Sequence, residues 1–298
     1  MIKLSGITKN FDKIRSLNDV SLCIENGSIF GLIGSNGSGK STLIRIMTGI
    51  YQPDKGSVSY DGEPVFENPA VKKDIVYLSD DAYFVPNSSI EDMKTLYKSV
   101  YPNFSDEKYS ELLSVFGLDE IRKISTLSKG MQKQVSLLLG LSCRPRYLFC
   151  DETFDGLDPV VRQFVKRLLA EDVAENNLCA VMASHNLREL EDICDHIGLL
   201  HKGELVLERE LDEAKTIMHK VQVSFEKSAC DSIGEELKKL NPISMERRGS
   251  LFTLIVRGNE KDLTDWINLC SPIFMEFIPL TLEEIFISEM EEKGYEFA

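Results

Sequence analysis

The sequence predicts an α/β fold with an N-terminal antiparallel β part and a helical insert, followed by a small C-terminal α+β domain. Three observations predict it. Short apolar runs at residues 28–33, 146–150 and 178–183 have the composition of buried strands and are separated by helix-type periodicity. The first of them ends in glycines and leads directly into a helix pattern. After about residue 215 the chain begins a second, independent alternation of strand and helix patterns, so the domains are expected at 1–215 and 216–298.

The elements follow in order. Alternating residues at the N-terminus and at 20–24 read as strands, and residues 41–50 as a helix with Gly49 near its end. A turn-rich stretch holding Pro53-Asp54-Lys55-Gly56 and Asp61-Gly62 precedes another strand, Ile75–Leu78. Residues of about 88–143 form the helical insert. Ser88 and Glu91 fit a capping box, in which the serine oxygen and the carboxylate satisfy free amides at a helix start. Ile90, Met93, Tyr97 and Val100 keep helical spacing, as do Tyr109, Leu112, Leu113 and Phe116, with Gly117 suited to end that second helix. A third helix runs from about Ser128 through 135–141. In the C-terminal domain Val221, Val223 and Phe225 alternate as a half-buried strand. A helix pattern (Ile233, Leu237, Leu240), a strand at 251–256, a second helix pattern (Leu263, Trp266, Ile267) and a strand at 273–278 follow. This is a β-α-β-α-β order with helices on one side of a small sheet. Thr281 and Glu284 form a second capping box that opens a terminal helix.

Bulk composition excludes several classes. With 48 acidic against 34 basic side chains, the net charge of -14 repels nucleic acid phosphates, and no basic run offsets it, so no nucleic acid partner is expected. The 7 cysteines are scattered without a Cys-x-x-Cys pair, as small buried hydrophobes of a reducing compartment are. The 4 histidines lack ligand spacing. No stretch of about 18 apolar residues exists to span a bilayer, and the first residues enter a strand pattern rather than a signal peptide. A membrane role therefore requires a separate chain.

Gly34-Ser35-Asn36-Gly37-Ser38-Gly39-Lys40-Ser41, followed by Thr42, fits G-x-x-x-x-G-K-[ST] between a strand and a helix. Glycines let successive amides turn inward to phosphate oxygens, and the helix start adds positive dipole character. Lys40 supplies a full charge to the β/γ-phosphates, and Ser41 is a ligand for Mg²⁺. Phe11, upstream on a strand, is an aromatic able to stack on adenine, although a strand phenylalanine is more often core. The apolar run Tyr147-Leu148-Phe149-Cys150 ends in Asp151-Glu152. Acids at the end of a buried strand face a site rather than the core. Asp151 fits a Mg²⁺-binding carboxylate, and Glu152 is placed to orient or deprotonate water.

Three further motifs complete a set. Leu127-Ser128-Lys129-Gly130-Met131 resembles the signature of the ATP-binding-cassette (ABC) family, usually LSGGQ. Phe154-Asp155-Gly156-Leu157-Asp158-Pro159 is similar to its D-loop, and Ala183-Ser184-His185 to its switch histidine. In this order they identify residues 1–215 as similar to a P-loop NTPase cassette that binds ATP and Mg²⁺. The resemblance implies two copies, or one copy and a paralogous cassette, meeting head to tail around two ATP molecules. The phosphate loop of one copy and Ser128 and Gly130 of the other then hold the same γ-phosphate, Asp158 links the two sites, and His185 bonds the γ-phosphate. Three departures stand out. Tyr77-Leu78-Ser79-Asp80 replaces a pattern that usually ends in Gln; Asp80 still ligates Mg²⁺ but donates no hydrogen bond when ionised, and Asp81 competes for the assignment. Lys129 and Met131 replace signature residues, and Thr153 stands where many members have Pro. Lys40, Asp151, Glu152 and His185 are all retained, so hydrolysis is expected.

Among cassette proteins, the transporter motor is favoured over a soluble ATPase of ribosomes or DNA and over a non-hydrolysing module. The chain carries one cassette, is acidic, and has too short an interval from Lys40 to Leu127 for a long coiled coil. The family's polytopic membrane permease is expected to dock near residues 80–86, where Tyr83, Phe84, Val85 and Pro86 form an apolar run; the alternative is local core. The ending Pro279-Leu280-Thr281-Leu282-Glu283-Glu284-Ile285-Phe286 resembles the tails of bacterial drug-, peptide- and lipid-exporter ATPases, which implies export. The resemblance thus places the chain in the cytoplasm, peripheral on the inner face of the membrane.

Overall fold

The computed structural model describes residues 1–154, 156–226 and 230–292; Asp155 of the expected D-loop lies outside them. The chain divides into two compact units, Met1–Glu208 and Arg209–Ala298, a division that comes earlier than the 215/216 boundary expected from the sequence.

The first unit opens with β1 (Ile2–Phe11), β2 (Ile14–Ile24), β3 (Ile29–Ile33), α1 (Lys40–Met47), β4 (Lys55–Tyr60), β5 (Glu63–Pro64), α2 (Pro69–Lys72) and β6 (Ile75–Leu78). The insert holds α3 (Ile90–Val100), α4 (Asp106–Phe116) and α5 (Lys129–Ser142). The chain continues through β7 (Tyr147–Asp151), α6 (Pro159–Asn176), β8 (Cys179–Ala183), α7 (Leu187–Glu191), β9 (His196–His201) and β10 (Glu204–Glu210). β1 pairs antiparallel with both β2 and β4 in a four-stranded sheet of order β2-β1-β4-β5. The second sheet has the order β10-β9-β3-β8-β7-β6, and its five strands from β9 to β6 run parallel.

Every residue of β3, β7 and β8 is buried, which is why these strands read as apolar runs, that of β7 ending at Asp151; a parallel sheet is covered on both faces. One core joins the sheets: Ile2, Leu4 and Ile7 of β1 pack with Leu43, Ile44 and Met47 of α1 and with Phe30, Phe149 and Val181 of the parallel sheet. Each such side chain contributes about 1.5–3 kcal/mol on burial. The register sets what emerges at the sheet's edge. Asp151 pairs with Ala183 and Leu32 with Ala183, so the chain leaves β3, β7 and β8 at one level. Leu78 pairs with Cys150, which brings the exit from β6 to the same edge. Open α/β sheets bind ligands outside these carboxyl ends.

The insert begins one residue later than expected. The capping box is Ser89 with Asp92, not Ser88 with Glu91: Ser89 Oγ accepts from Asp92 N at 3.1 Å, and Asp92 Oδ2 accepts from Ser89 N at 2.8 Å. The backbone of Ser88 is held outside the helix, its amide donating to the Val85 carbonyl and its carbonyl accepting from Ile124 N, and its buried Oγ has no hydrogen-bond partner. Two adjacent serines, each three residues before an acid, made both registers legible. Val100 of α3 is exposed, so the apolar face ends earlier than the periodicity suggested. Gly117 caps α4 in the left-handed conformation, as expected. Buried Lys108 of α4 reaches Asp172 of α6, tying the insert to the core.

The second unit contains α8 (Leu211–Ile217), β11 (Met218–Ser224), α9 (Cys230–Leu237), β12 (Ser244–Arg248), β13 (Leu251–Arg257), α10 (Glu260–Leu269), β14 (Phe274–Ile278) and α11 (Leu282–Glu292). Its antiparallel sheet has the order β12-β13-β11-β14. From β11 to β14 the order is β-α-β-β-α-β, one strand more than the sequence suggested. The additional β12, Ser-Met-Glu-Arg-Arg, has no buried residue and so lacks the apolar alternation that reveals a strand. It is held by a hairpin across Gly249-Ser250, where Arg248 pairs with Leu251 and Gly249 takes a φ of 68°. Val221, Val223, Phe252, Leu254 and Val256 share one face and pack with Leu237, Leu263 and Ile267 of the two helices. The Thr281–Glu284 box is formed as expected, with both reciprocal bonds present.

Candidate nucleotide-binding site

The loop between β3 and α1 turns on two glycines that tolerate no side chain. A Cβ at Gly34 would lie 2.3 Å from the Leu200 carbonyl oxygen and 2.5 Å from Ser38 Oγ. At Gly39, with φ 109°, it would lie 2.7 Å from the Ser16 carbonyl oxygen. The loop therefore passes close to its neighbours while Asn36 and Ser35 stay exposed on its outside. Lys40 curls back across it, donating from Nζ to the carbonyls of Gly34 (2.6 Å) and Ser35 (3.2 Å). Burial pulls this ammonium below the ordinary lysine range, against the carboxylates of Glu152 and Asp151, which raise it. Ser38 Oγ is buried in the same loop with no hydrogen-bond partner. Thr42 Oγ1 accepts from Ser16 Oγ at 2.9 Å and so anchors the first turn of α1 to β2.

The carboxylates meet this loop from β7. Ser41 Oγ donates to Asp151 Oδ1 at 3.1 Å, and Tyr77 Oη to Asp151 Oδ2 at 3.2 Å. Tyr77 is pushed up to about 12 by burial and by the Asp151 charge, and a hydrogen bond to it raises Arg45 further. Glu152 has a φ of 53°, a strained value for a glutamate. Three bonds hold it. Its amide donates to the Ala183 carbonyl at 2.9 Å, its carbonyl accepts from Lys133 Nζ at 2.9 Å, and its Oε2 lies 2.7 Å from His185 Nδ1. Thr153, one of the departures, donates from Oγ1 to the Leu78 carbonyl at 3.1 Å, so it ties the ends of β6 and β7 together. Asp80 pairs with Lys133 Nζ at 2.8 Å, and Asp80, Asp81, Lys129 and Gly130 share a cavity of about 510 Å³.

The expected site residues thus fall into two sets. The structure brings together the phosphate loop, Ser41, Asp151, Glu152 and His185. Phe11, at the end of β1 and 41% exposed, lies edge-on to Tyr51 with ring centres 5.6 Å apart, and Lys9 Nζ is 5.6 Å from its ring. Ser128, Gly130 and Asp158 stand apart: among the described residues no hydrogen bond joins them to the phosphate loop. Ser128 caps α5 by accepting from Met131 N, Gly130 faces the Gly156 carbonyl, and Asp158 caps α6 by accepting from Val160 N and Val161 N. Tyr77, Arg45, Tyr51 and Lys133 were missed. Tyr77 lay within a predicted strand whose alternation indicates a second face, whereas nothing in the sequence marks Lys133.

The donor set suits a nucleotide and a hard cation. Gly37 has φ 77° and open space at its Cβ position, so the loop's crest is clear for a phosphate. Adjacent oxygens of Ser41 and Asp151 suit Mg²⁺, which is usually held by one or two protein oxygens plus phosphates. Among the described residues no group of three His, Cys, Asp or Glu side chains is able to hold a metal without such help.

Residues 17–155 match the ABC transporter family. Over 293 residues the chain is 32% identical to the ABC transporter ATP-binding protein YtrB of Bacillus subtilis (strain 168), covering 98% of this chain and 99% of that protein. It belongs to the ABC transporter ATP-binding proteins. The lantibiotic transport ATP-binding protein SrtF of Streptococcus pyogenes is 29% identical over 76% of this chain and 99% of its own. The sulfate/thiosulfate import ATP-binding protein CysA of Pectobacterium atrosepticum is 31% identical over 68% of this chain and 64% of its own. The fold is that of a solved ATP-binding subunit of an ABC transporter, with a TM-score of 0.67 at 24% identity over 72% of this chain and 92% of that one. As a member of this family the chain binds and hydrolyses ATP as the ATPase subunit of a transport system. Among the described residues no helix is long and apolar enough to cross a membrane.

Proposed function

We propose that this ABC subunit drives export through a separate polytopic permease, closing head to tail on a second cassette when ATP binds. The observation that carries the catalytic part is the convergence of Ser41, Asp151, Glu152 and His185 at the carboxyl ends of three parallel strands. Lys40 and the loop amides bind the β/γ-phosphates, and Ser41 and Asp151 hold Mg²⁺, which supplies charge neutralisation at the phosphates. Glu152 accepts a proton from the attacking water at its carboxylate. His185 orients that carboxylate and donates to the γ-phosphate. Phe11 offers its exposed ring to the base.

Ser128 and Gly130 serve the partner's nucleotide, and Asp158 links the two sites. Two features support this: Ser128 and Gly130 stand at the start of α5, where amides favour an anion, and among the described residues no hydrogen bond joins any of the three to the chain's own phosphate loop. Tyr83 and Val85 are exposed apolar side chains beside Asp80 and support permease docking at 80–86, which would hold the subunit on the inner face of the membrane. Export follows from the exporter-like ending that forms α11 and is supported by the lantibiotic transport relative; the sulfate/thiosulfate import relative makes direction the point to test.

The test is capture of tagged Glu152→Gln protein from its own cells in detergent with ATP and Mg²⁺. A co-purified polytopic permease is the expected result, and its substrate, assayed in vesicles, gives the direction. Ribosomal or chromosomal proteins in its place would overturn the transporter assignment of partner.

A further inference from the structure

We propose that Lys133 is a positioning residue for hydrolysis, tying the loop at Asp80 to the backbone of Glu152; this rests on Glu152 acting as the general base. Asp80 and Glu152 each follow by two residues a pair matched in register, Leu78 with Cys150, so they leave β6 and β7 side by side. Lys133 rises between them from the second turn of α5 and donates to Asp80 Oδ1 at 2.8 Å and to the Glu152 carbonyl at 2.9 Å. An ammonium has three donors and is able to hold both oxygens at once.

The two arms differ in strength. The side chain of Lys133 is 15% exposed and that of Asp80 65% exposed. The aspartate arm is a solvent-screened pair that separates readily. The carbonyl arm is sheltered and fixes the peptide that follows a residue held at φ 53°. That peptide's orientation aims the Glu152 side chain, whose Oε2 is set against His185. Asp80 is also the candidate ligand for the nucleotide's cation. A turn of its carboxylate toward the nucleotide therefore releases one arm of Lys133 and leaves the ammonium wholly on Glu152. A neutral Gln at position 80 would offer the ammonium a hydrogen bond without the opposite charge, so the acid there and the lysine on α5 act as a pair.

The test compares the full-length chain with Lys133→Met, Lys133→Arg and Glu152→Gln, measuring kcat and KM for ATP hydrolysis and ATP affinity in EDTA by equilibrium dialysis. Lys133→Met is expected to lower kcat about tenfold with KM and EDTA affinity held within about twofold, and Lys133→Arg to recover kcat to within about threefold. A kcat for Lys133→Met within about twofold of the parent, while Glu152→Gln lowers kcat by about 10²-fold or more, overturns the positioning role alone. So does a parallel fall of kcat and EDTA affinity that arginine fails to rescue. A kcat for Glu152→Gln within about tenfold of the parent overturns the general-base assignment, and this inference with it.

Discussion

At the scale of the residue, the site depends on a few polar atoms in sheltered positions, and their removal has separable effects. Lys40→Ala removes the full positive charge curled over the phosphate loop, and loss of measurable ATP binding by equilibrium dialysis is expected. Glu152→Gln keeps shape and removes the base; kcat should fall by about 10²–10⁴ with binding retained. Tyr77 gives a pH test. Its hydroxyl is raised from 10.0 to about 12 in the fold, so the native state holds the proton more tightly than the unfolded chain. The resulting stability is present below pH 10 and is lost as pH rises toward 12. In urea titrations across this window, Tyr77→Phe should lose less stability than the parent, and an equal loss in both would contradict the assignment. The residue types with fixed chemistry were legible: glycines that tolerate no Cβ, a lysine after them, acids closing an apolar strand. Tyr77 and Lys133 were not, because their roles arise from strand order and helix packing, which bring positions 77 and 133 to residues 74 and 19 places away in the chain.

At the scale of the element, boundaries followed local chemistry and errors followed its degeneracy. Strands β3, β7 and β8 were visible as apolar runs because both sheet faces are covered. β12 was invisible because none of its residues is buried, and only its hairpin with β13 makes it a strand. The cap of α3 was displaced by one residue because Ser88 and Ser89 offer the same signal; the backbone bonds of Ser88 to Val85 and Ile124 decide between them. Ser89→Ala therefore removes a working cap and should cost about 1 kcal/mol in urea unfolding, with ATP affinity unchanged. Ser88→Ala removes no cap bond and should cost distinctly less. An equal cost for both would show that the cap is shared.

At the scale of the whole molecule, the parallel order of β3, β8, β7 and β6 delivers the phosphate loop, His185, Glu152 and Asp80 to one edge, and that much follows from the register alone. The signature serine and glycine are elsewhere, at the start of α5. The proposed head-to-tail closure completes each site with a second cassette. A symmetric pair then has two sites, each built from the phosphate loop of one copy and Ser128 and Gly130 of the other. This makes complementation the decisive experiment. Lys40→Ala disables a phosphate loop, and Gly130→Asp sets a carboxylate at a helix start meant for phosphate; each variant alone should be inactive. In their mixed dimer, both lesions fall in the same site and the other site is wholly intact. An equimolar mixture that exchanges freely should therefore regain about a quarter of the parent sites, and ATPase activity in that proportion if the sites act independently. A mixture as inactive as its components, with mixed dimers shown to form by differential tagging, would mean either that each site is completed within its own chain or that the two sites fire only together. Tighter ATP binding by the mixed dimer than by the Gly130→Asp homodimer separates these, since only the second leaves that intact loop facing an intact signature.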